Sequence, residues 1–291
     1  MQSRRRNVRS HVLREVKEIS VALPGAVLWI TLSSVLWGCG TLPTGRGWGE
    51  DATLRPGWAR VRDSAASAAR DPWVWAPLAG AAMFQIDDWD RRAADWAREH
   101  TPVFGSPGHA KTWSDDLRTA SVVAHYASIL ATPSGDEAGD WIVNKAQGAI
   151  VDAAAVSATV AVTRLLKTNV DRRRPNDAAD ESFPSGHTSS AAVHTRLASR
   201  NLRAIQSAGA LSAGSRNALD VGLYALTIGT SWARIEAGWH YPADTLFGMA
   251  LGNFLASFVN DAFLGLDTAH TSIAFSTAGD GATLQWRHAF R

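Results

Sequence analysis

Only one cysteine, Cys39, occurs in 291 residues, so no disulfide forms within the chain. Long apolar runs are scarce too. After residue 45 none reaches the roughly 18 uncharged residues that argue for a membrane span. The stretches 149–162 and 246–259 stop at 14 residues each, and Asp152 interrupts the first. This scarcity predicts a helical bundle whose own helices do not cross a bilayer. A one-sided charge is also missing: the chain has 29 Lys/Arg and 27 Asp/Glu. Residues 1–38 hold six of the former and two of the latter, which leaves 23 and 25, a formal charge of −2. No basic footprint for nucleic acid remains, and no internal repeat divides the chain.

What is present begins with an export-like N-terminus. Arg4, Arg5, Arg6, Arg9, Arg14 and Lys17 precede an uncharged apolar run that ends at Cys39. A basic segment, an apolar segment and a small residue describe a secretory signal. Leu36-Trp37-Gly38-Cys39 resembles the bacterial lipobox, which implies cleavage after residue 38 and lipidation of Cys39. An uncleaved transmembrane anchor is the alternative. Either version predicts a body tied to a membrane outside the cytoplasm: the periplasm, and the outer membrane if Gly40 permits that sorting.

The expected divisions are a signal at 1–38, a Gly/Pro-rich tether at 39–57, N-terminal helices within 58–111, a catalytic core at 112–264 and a tail at 265–291. Helical patterns cover 58–70, 72–84, 88–99, 112–131, 138–168, 187–207, 215–237 and 241–264. In the tail, 271–276 and 282–290 alternate around a Gly-rich turn and predict a short β-hairpin. Six tryptophans (58, 73, 75, 89, 96 and 113) fit either an interfacial belt or large core fillers. Asp87, Asp88 and Asp90 read as the acidic start of a helix. Arg172 and Arg173 read as a solvated basic turn, His125 and His194 as structural.

Three segments carry chemistry: Lys167-x6-Arg174-Pro175, Pro184-Ser185-Gly186-His187 and Arg234-x5-His240-x3-Asp244, all within 78 residues. Lys167, Arg174 and Arg234 suit the oxygens of a phosphoryl group. Ser185 and Gly186 open a helix whose free N–H groups favour an anion. His240 is the candidate nucleophile and Asp244, one helical turn on, the acceptor for its ring N–H. His187 is placed to protonate a leaving oxygen and then activate water. The cations supply the charge, so no metal is expected.

The three segments together resemble the type 2 phosphatidic acid phosphatases, which share a site with vanadium haloperoxidases and bacterial class A acid phosphatases. Ala233 departs from the pattern, which has Ser there. Over roughly 112–264 the resemblance implies an all-α bundle of the PAP2/acid-phosphatase type and hydrolysis of phosphomonoesters or pyrophosphates. A phosphorylated lipid or a small phosphomonoester is the implied substrate, and the membrane the implied partner. Two other readings stay open: a haloperoxidase, with vanadate as cofactor, and a non-catalytic envelope lipoprotein.

Overall fold

Among the described residues, side-chain caps start four of the eight helices. The chain was described as a computed structural model, which covers residues 38–265 in full and the backbone of 271–278 and 281–288. All but the last residue of the expected signal at 1–38 lies outside the described residues, as do the side chains of the tail. Helix α1 (Trp58–Arg70) ends at Asp71, whose carboxylate accepts from Trp73 N and starts α2 (Pro72–Met83). Helix α3 (Trp89–His100) follows Asp87 and Asp88, both at positive φ. Ser106, Ser185 and Ser212 cap α4 (Pro107–Ala131), α6 (Gly186–Ser207) and α7 (Ala213–Glu236). Between them runs α5 (Ala138–Asn169), and α8 (Pro242–Val259) closes the set, continued by a π turn at Asn260–Leu264. Among residues 38–265 the regular structure is helical, as expected.

Helix α6 is the axis of the bundle and is buried along most of its length. Helix α8 packs on one side of it, α4 and α7 on another, and α5 along a third. Gly248 and Gly252 set the α6–α8 distance. A Cβ on Gly252 would lie 2.5 Å from the Ser189 carbonyl oxygen and 2.8 Å from Ala192 Cβ. A Cβ on Gly248 would meet the Ser185 carbonyl at 2.8 Å. Overpacking of this kind costs about 1–3 kcal/mol, so Gly252→Ala is expected to lower the melting temperature by several degrees. A thermal melt of the purified protein checks this, and an unchanged midpoint would contradict the close packing.

Inside the bundle Asp152 is completely buried, yet fully paired. It accepts from His125 Nε2 and Asn260 Nδ2, each at 2.9 Å. His125 Nδ1 meets His194 Nδ1 at 2.9 Å. Both histidines are thus core residues.

Three expectations need correction. Residues 39–57 are not a free tether: Trp48 is wholly buried, and a Cβ on Gly148 would lie 2.2 Å from its ring. Gly40 and Gly135 exchange backbone hydrogen bonds, and Gly38 O accepts from Trp141 Nε1 at 2.7 Å. The six tryptophans are not core fillers, since each is 39–79% exposed. Finally, Ala138–Asn169 and Pro242–Leu264 are both long and apolar enough to cross a membrane. The second is mostly buried in the bundle. The first keeps Ile142, Val143, Ile150, Val160 and Leu165 on an exposed face. Uncharged runs understate α5 because Asp152 interrupts them, although that carboxylate faces inward and is hydrogen-bonded by His125 and Asn260.

Candidate active site

The loop between α5 and α6 folds back on itself. Ser182 N donates to Arg172 O at 2.8 Å and Arg174 N to Ala179 O at 3.0 Å. Ser185 N donates to Asp244 O at 3.0 Å, which ties the start of α6 to the start of α8. These bonds bring the three sequence segments to one end of the bundle.

His240 is 2% exposed. Its Nδ1 lies 2.6 Å from the Ser182 carbonyl oxygen, so it is the protonated nitrogen and Nε2 carries the free lone pair. Asp244 does not take this proton: its nearer oxygen lies 3.8 Å from Nδ1. The carboxylate is occupied otherwise. Arg172 Nη1 donates to it at 2.6 Å, Ser182 Oγ at 2.5 Å and Tyr241 N at 2.9 Å. Ser182 thus stands between the two residues, with its carbonyl on His240 and its hydroxyl on Asp244. Burial pushes the His240 pKa down to about 4 against the pull of Asp244, with Arg234 and Lys167 adding to the fall. The imidazole is therefore neutral over most of the pH range. Burial alone would raise the pKa of Asp244, but His240, Arg172 and Ser182 hold it below the ordinary value.

Arg172 is not a solvated turn residue. It bridges Asp244 to Asp90, and its guanidinium lies 4.4 Å from the centre of the Tyr241 ring. Asp90 is buried and also accepts from Ala243 N at 2.8 Å. Among the described residues Arg173 pairs only with the exposed Asp177. The spacing from Lys167 singles out Arg174, but nothing local separates Arg172 from Arg173, because the partners of Arg172 come from α3 and α8.

The cations gather around Trp239. The Arg174 and Arg234 guanidiniums lie 4.6 and 4.8 Å from its ring centre and the Lys111 ammonium 5.7 Å. The Nε–H groups of Arg174, Arg234 and Arg118 are buried with no acceptor among the described residues. Burial, with Arg174 and Arg118 nearby, pushes the Arg234 pKa down to about 10 despite the attraction of Asp115. Burial and Arg174 push Lys167 down to about 8, and its ammonium donates to the Glu181 carbonyl. Donors crowded together without an acceptor make a site for an anion.

Ser185 is buried and caps α6 by accepting from Thr188, and Gly186 follows as the first helical residue. His187 Nε2 bonds Asp115 Oδ1 at 2.7 Å. Asp115, Arg118 and Lys111 belong to α4, and no local sequence pattern marks them. Ala233, where the pattern has Ser, is fully buried, and Arg234 Nη1 donates to Ser114 Oγ on α4 at 3.4 Å.

The model of the PAP2 superfamily matches residues 149–264, a span that holds all three segments. Those residues belong to the PAP2 superfamily. The PAP2 stretch thus contributes Lys167, Arg174, Ser185, Gly186, His187, Arg234, His240 and Asp244, while Asp90, Asp115 and Arg118 come from outside it. No curated protein matches the chain. Among solved structures it is similar to a transmembrane PAP2 type phosphatidylglycerolphosphate phosphatase from Bacillus subtilis. That likeness has 18% identity and a TM-score of 0.47, over 65% of this chain and 92% of the other.

Proposed function

We propose that this protein is a phosphatase that forms a phosphohistidine on His240. The observation that carries the reading is the commitment of His240 Nδ1 to the Ser182 carbonyl, which leaves Nε2 unprotonated within the field of Lys167 and Arg234. In the first step Nε2 attacks phosphorus, the bond to the leaving oxygen breaks, and His187 gives that oxygen a proton. Water then attacks the phosphohistidine, His187 takes back a proton, and inorganic phosphate leaves. Lys167, Arg174, Arg234 and the N–H of Gly186, the first residue of α6, hold the equatorial oxygens throughout. The charge comes from these side chains, so no step is assigned to a metal or cofactor.

The proposed substrate is a phosphorylated lipid. The exposed tryptophans and the exposed apolar face of α5 support it, since both suit contact with a bilayer. A lipid anchor on Cys39, outside the cytoplasm, belongs to the same proposal. The Gly38 carbonyl would be lost on cleavage, and the carbonyl of an N-acyl group on Cys39 would occupy the same place beside Trp141. The division expected between 111 and 112 falls inside α4 (Pro107–Ala131), and the tail is proposed to pair 271–278 with 281–288 as an antiparallel hairpin.

The test is phosphate release by the full-length protein from phosphatidate and polyprenyl phosphates in detergent, alongside soluble monoesters, with EDTA present. Release from neither set sinks the reading, and halide oxidation with vanadate and peroxide would replace it. A pH profile adds a prediction. The rate should rise through about pH 4 as His240 loses its proton. It should fall below the ordinary histidine range as His187 loses its own, because burial and Arg234 lower that pKa. An acidic optimum in kcat/KM is the expected result, and an optimum on the alkaline side would contradict the assignments.

A further inference from the structure

The proton donor of this site has its own carboxylate, supplied by a helix outside the PAP2 stretch. Asp115 sits on α4, whose position is fixed at its start by Glu236. That residue is wholly buried on the last turn of α7, and its carboxylate accepts from Val103 N at 2.9 Å and Phe104 N at 3.0 Å. Trp232 Nε1 completes the set. The loop that leads into α4 is thereby pinned two residues beyond Arg234, and the first turns of α4 run beside the cation cluster. Ser114 meets Arg234 there, and Asp115 meets His187 at 2.7 Å.

We infer that Asp115 is a positioning residue for His187: it holds Nε2–H, so that Nδ1 is the nitrogen that gives and takes the proton. This rests on the phosphatase reading above. A carboxylate so near a phosphate would ordinarily repel the substrate. Here it lies among Arg118 of its own helix and Arg234 of α7, and both offset its charge. Burial would raise its pKa, but His187, Arg234 and Arg118 hold it below the ordinary value, so it stays ionised. The charged groups around His187 are Asp115 and Arg118 from α4 and Arg234 from α7, and Lys167 of α5 lies against the neighbouring Gly186. Burial and the arginines favour the neutral ring. Asp115 is the one group there that favours the imidazolium, the form that acts as an acid.

The experiment compares Asp115→Asn, Asp115→Glu and Asp116→Asn in the full-length protein. Asp116 is exposed and next in the chain. Single-turnover release of the leaving group is followed with an alkyl phosphate, whose alkoxide needs a proton, and with p-nitrophenyl phosphate, whose phenolate does not. Asp115→Asn is expected to slow alkanol release roughly 10- to 100-fold, a part of what a general acid supplies. Nitrophenol release should stay within about 3-fold, because it bypasses the acid. The alkaline limb should move to lower pH, and Asp115→Glu should restore part of the rate. Equal slowing of both substrates with an unmoved limb would overturn the inference. So would a faster Asn variant, which would make the carboxylate a gate, or the same loss in Asp116→Asn. An NMR titration of His187 reads the pair without turnover. A pKa unchanged by Asp115→Asn refutes the pairing, even in an active enzyme. A lowered pKa in a protein that releases no phosphate supports the pairing and refutes only the phosphatase reading.

Discussion

Replacing His240 with alanine should reduce phosphate release by at least about 10⁴-fold, the scale seen when a covalent nucleophile is removed. The loss should lie in kcat, because the cations that bind phosphate are untouched. Acid-labile phosphate on the protein, trapped by rapid quench, should vanish with it. His240 is buried, so a cavity could cost stability. His240→Gln keeps most of the volume and should be equally inactive while melting near the parent. Near-parental turnover in either folded variant would end the phosphohistidine proposal. Partial rescue of the alanine variant by free imidazole would support it further.

The second large effect is expected at Arg172. Removing one partner of a buried ion pair typically costs about 3–5 kcal/mol. Arg172 is 27% exposed at its side chain, so a discounted loss of about 2–3 kcal/mol is expected for Arg172→Gln. That corresponds to a fall of about 4–12 °C in melting temperature for a chain of this size. Activity should fall as well, roughly 100-fold, because Asp244 and Ser182 would lose the charge that fixes them under His240. Arg173→Gln, one residue away, should change neither property, since its one ion pair is on the surface. Melting curves and kcat for the two variants decide the matter, and similar behaviour of both would refute the Asp90–Arg172–Asp244 bridge.

Those two arginines show where the sequence stopped being readable. Helix bounds were legible because caps and alanine-rich stretches are local: α1 spans 58–70 as the pattern suggested, and Asp71-Pro72 and Ser106-Pro107 mark starts by their own chemistry. The eight motif positions were legible because spacing along the chain encodes them. Ser182, Asp115 and Arg172 were not, because their roles depend on partners 58 to 72 residues away. Trp48 was hidden for a different reason. It lies among glycines that read as a flexible linker, but Gly47 and Gly49 let this segment press against Ser134 and Asn144, and Gly148 of α5 makes room for the ring. The hydrogen bond expected between His240 and Asp244 failed on a detail of side-chain direction. Asp244, as the third residue of α8, turns back to bond Tyr241 N.

The length of α5 has a consequence for how the protein would meet its substrate. Trp141, which receives the chain at Gly38, and Lys167, at the phosphate site, stand at opposite ends of this helix. At 1.5 Å per residue they are about 39 Å apart. With Gly40 fastened to Gly135, a lipid on Cys39 has almost no leash. Standing upright on that anchor, the enzyme would hold its catalytic end far above the headgroups. So anchored, it would reach phosphates of its own leaflet only by lying down, with the length of α5 along the surface. The apolar residues from Ile142 to Leu165 run in that direction, so the same side that would rest on the bilayer would also set the height at which the site travels across it.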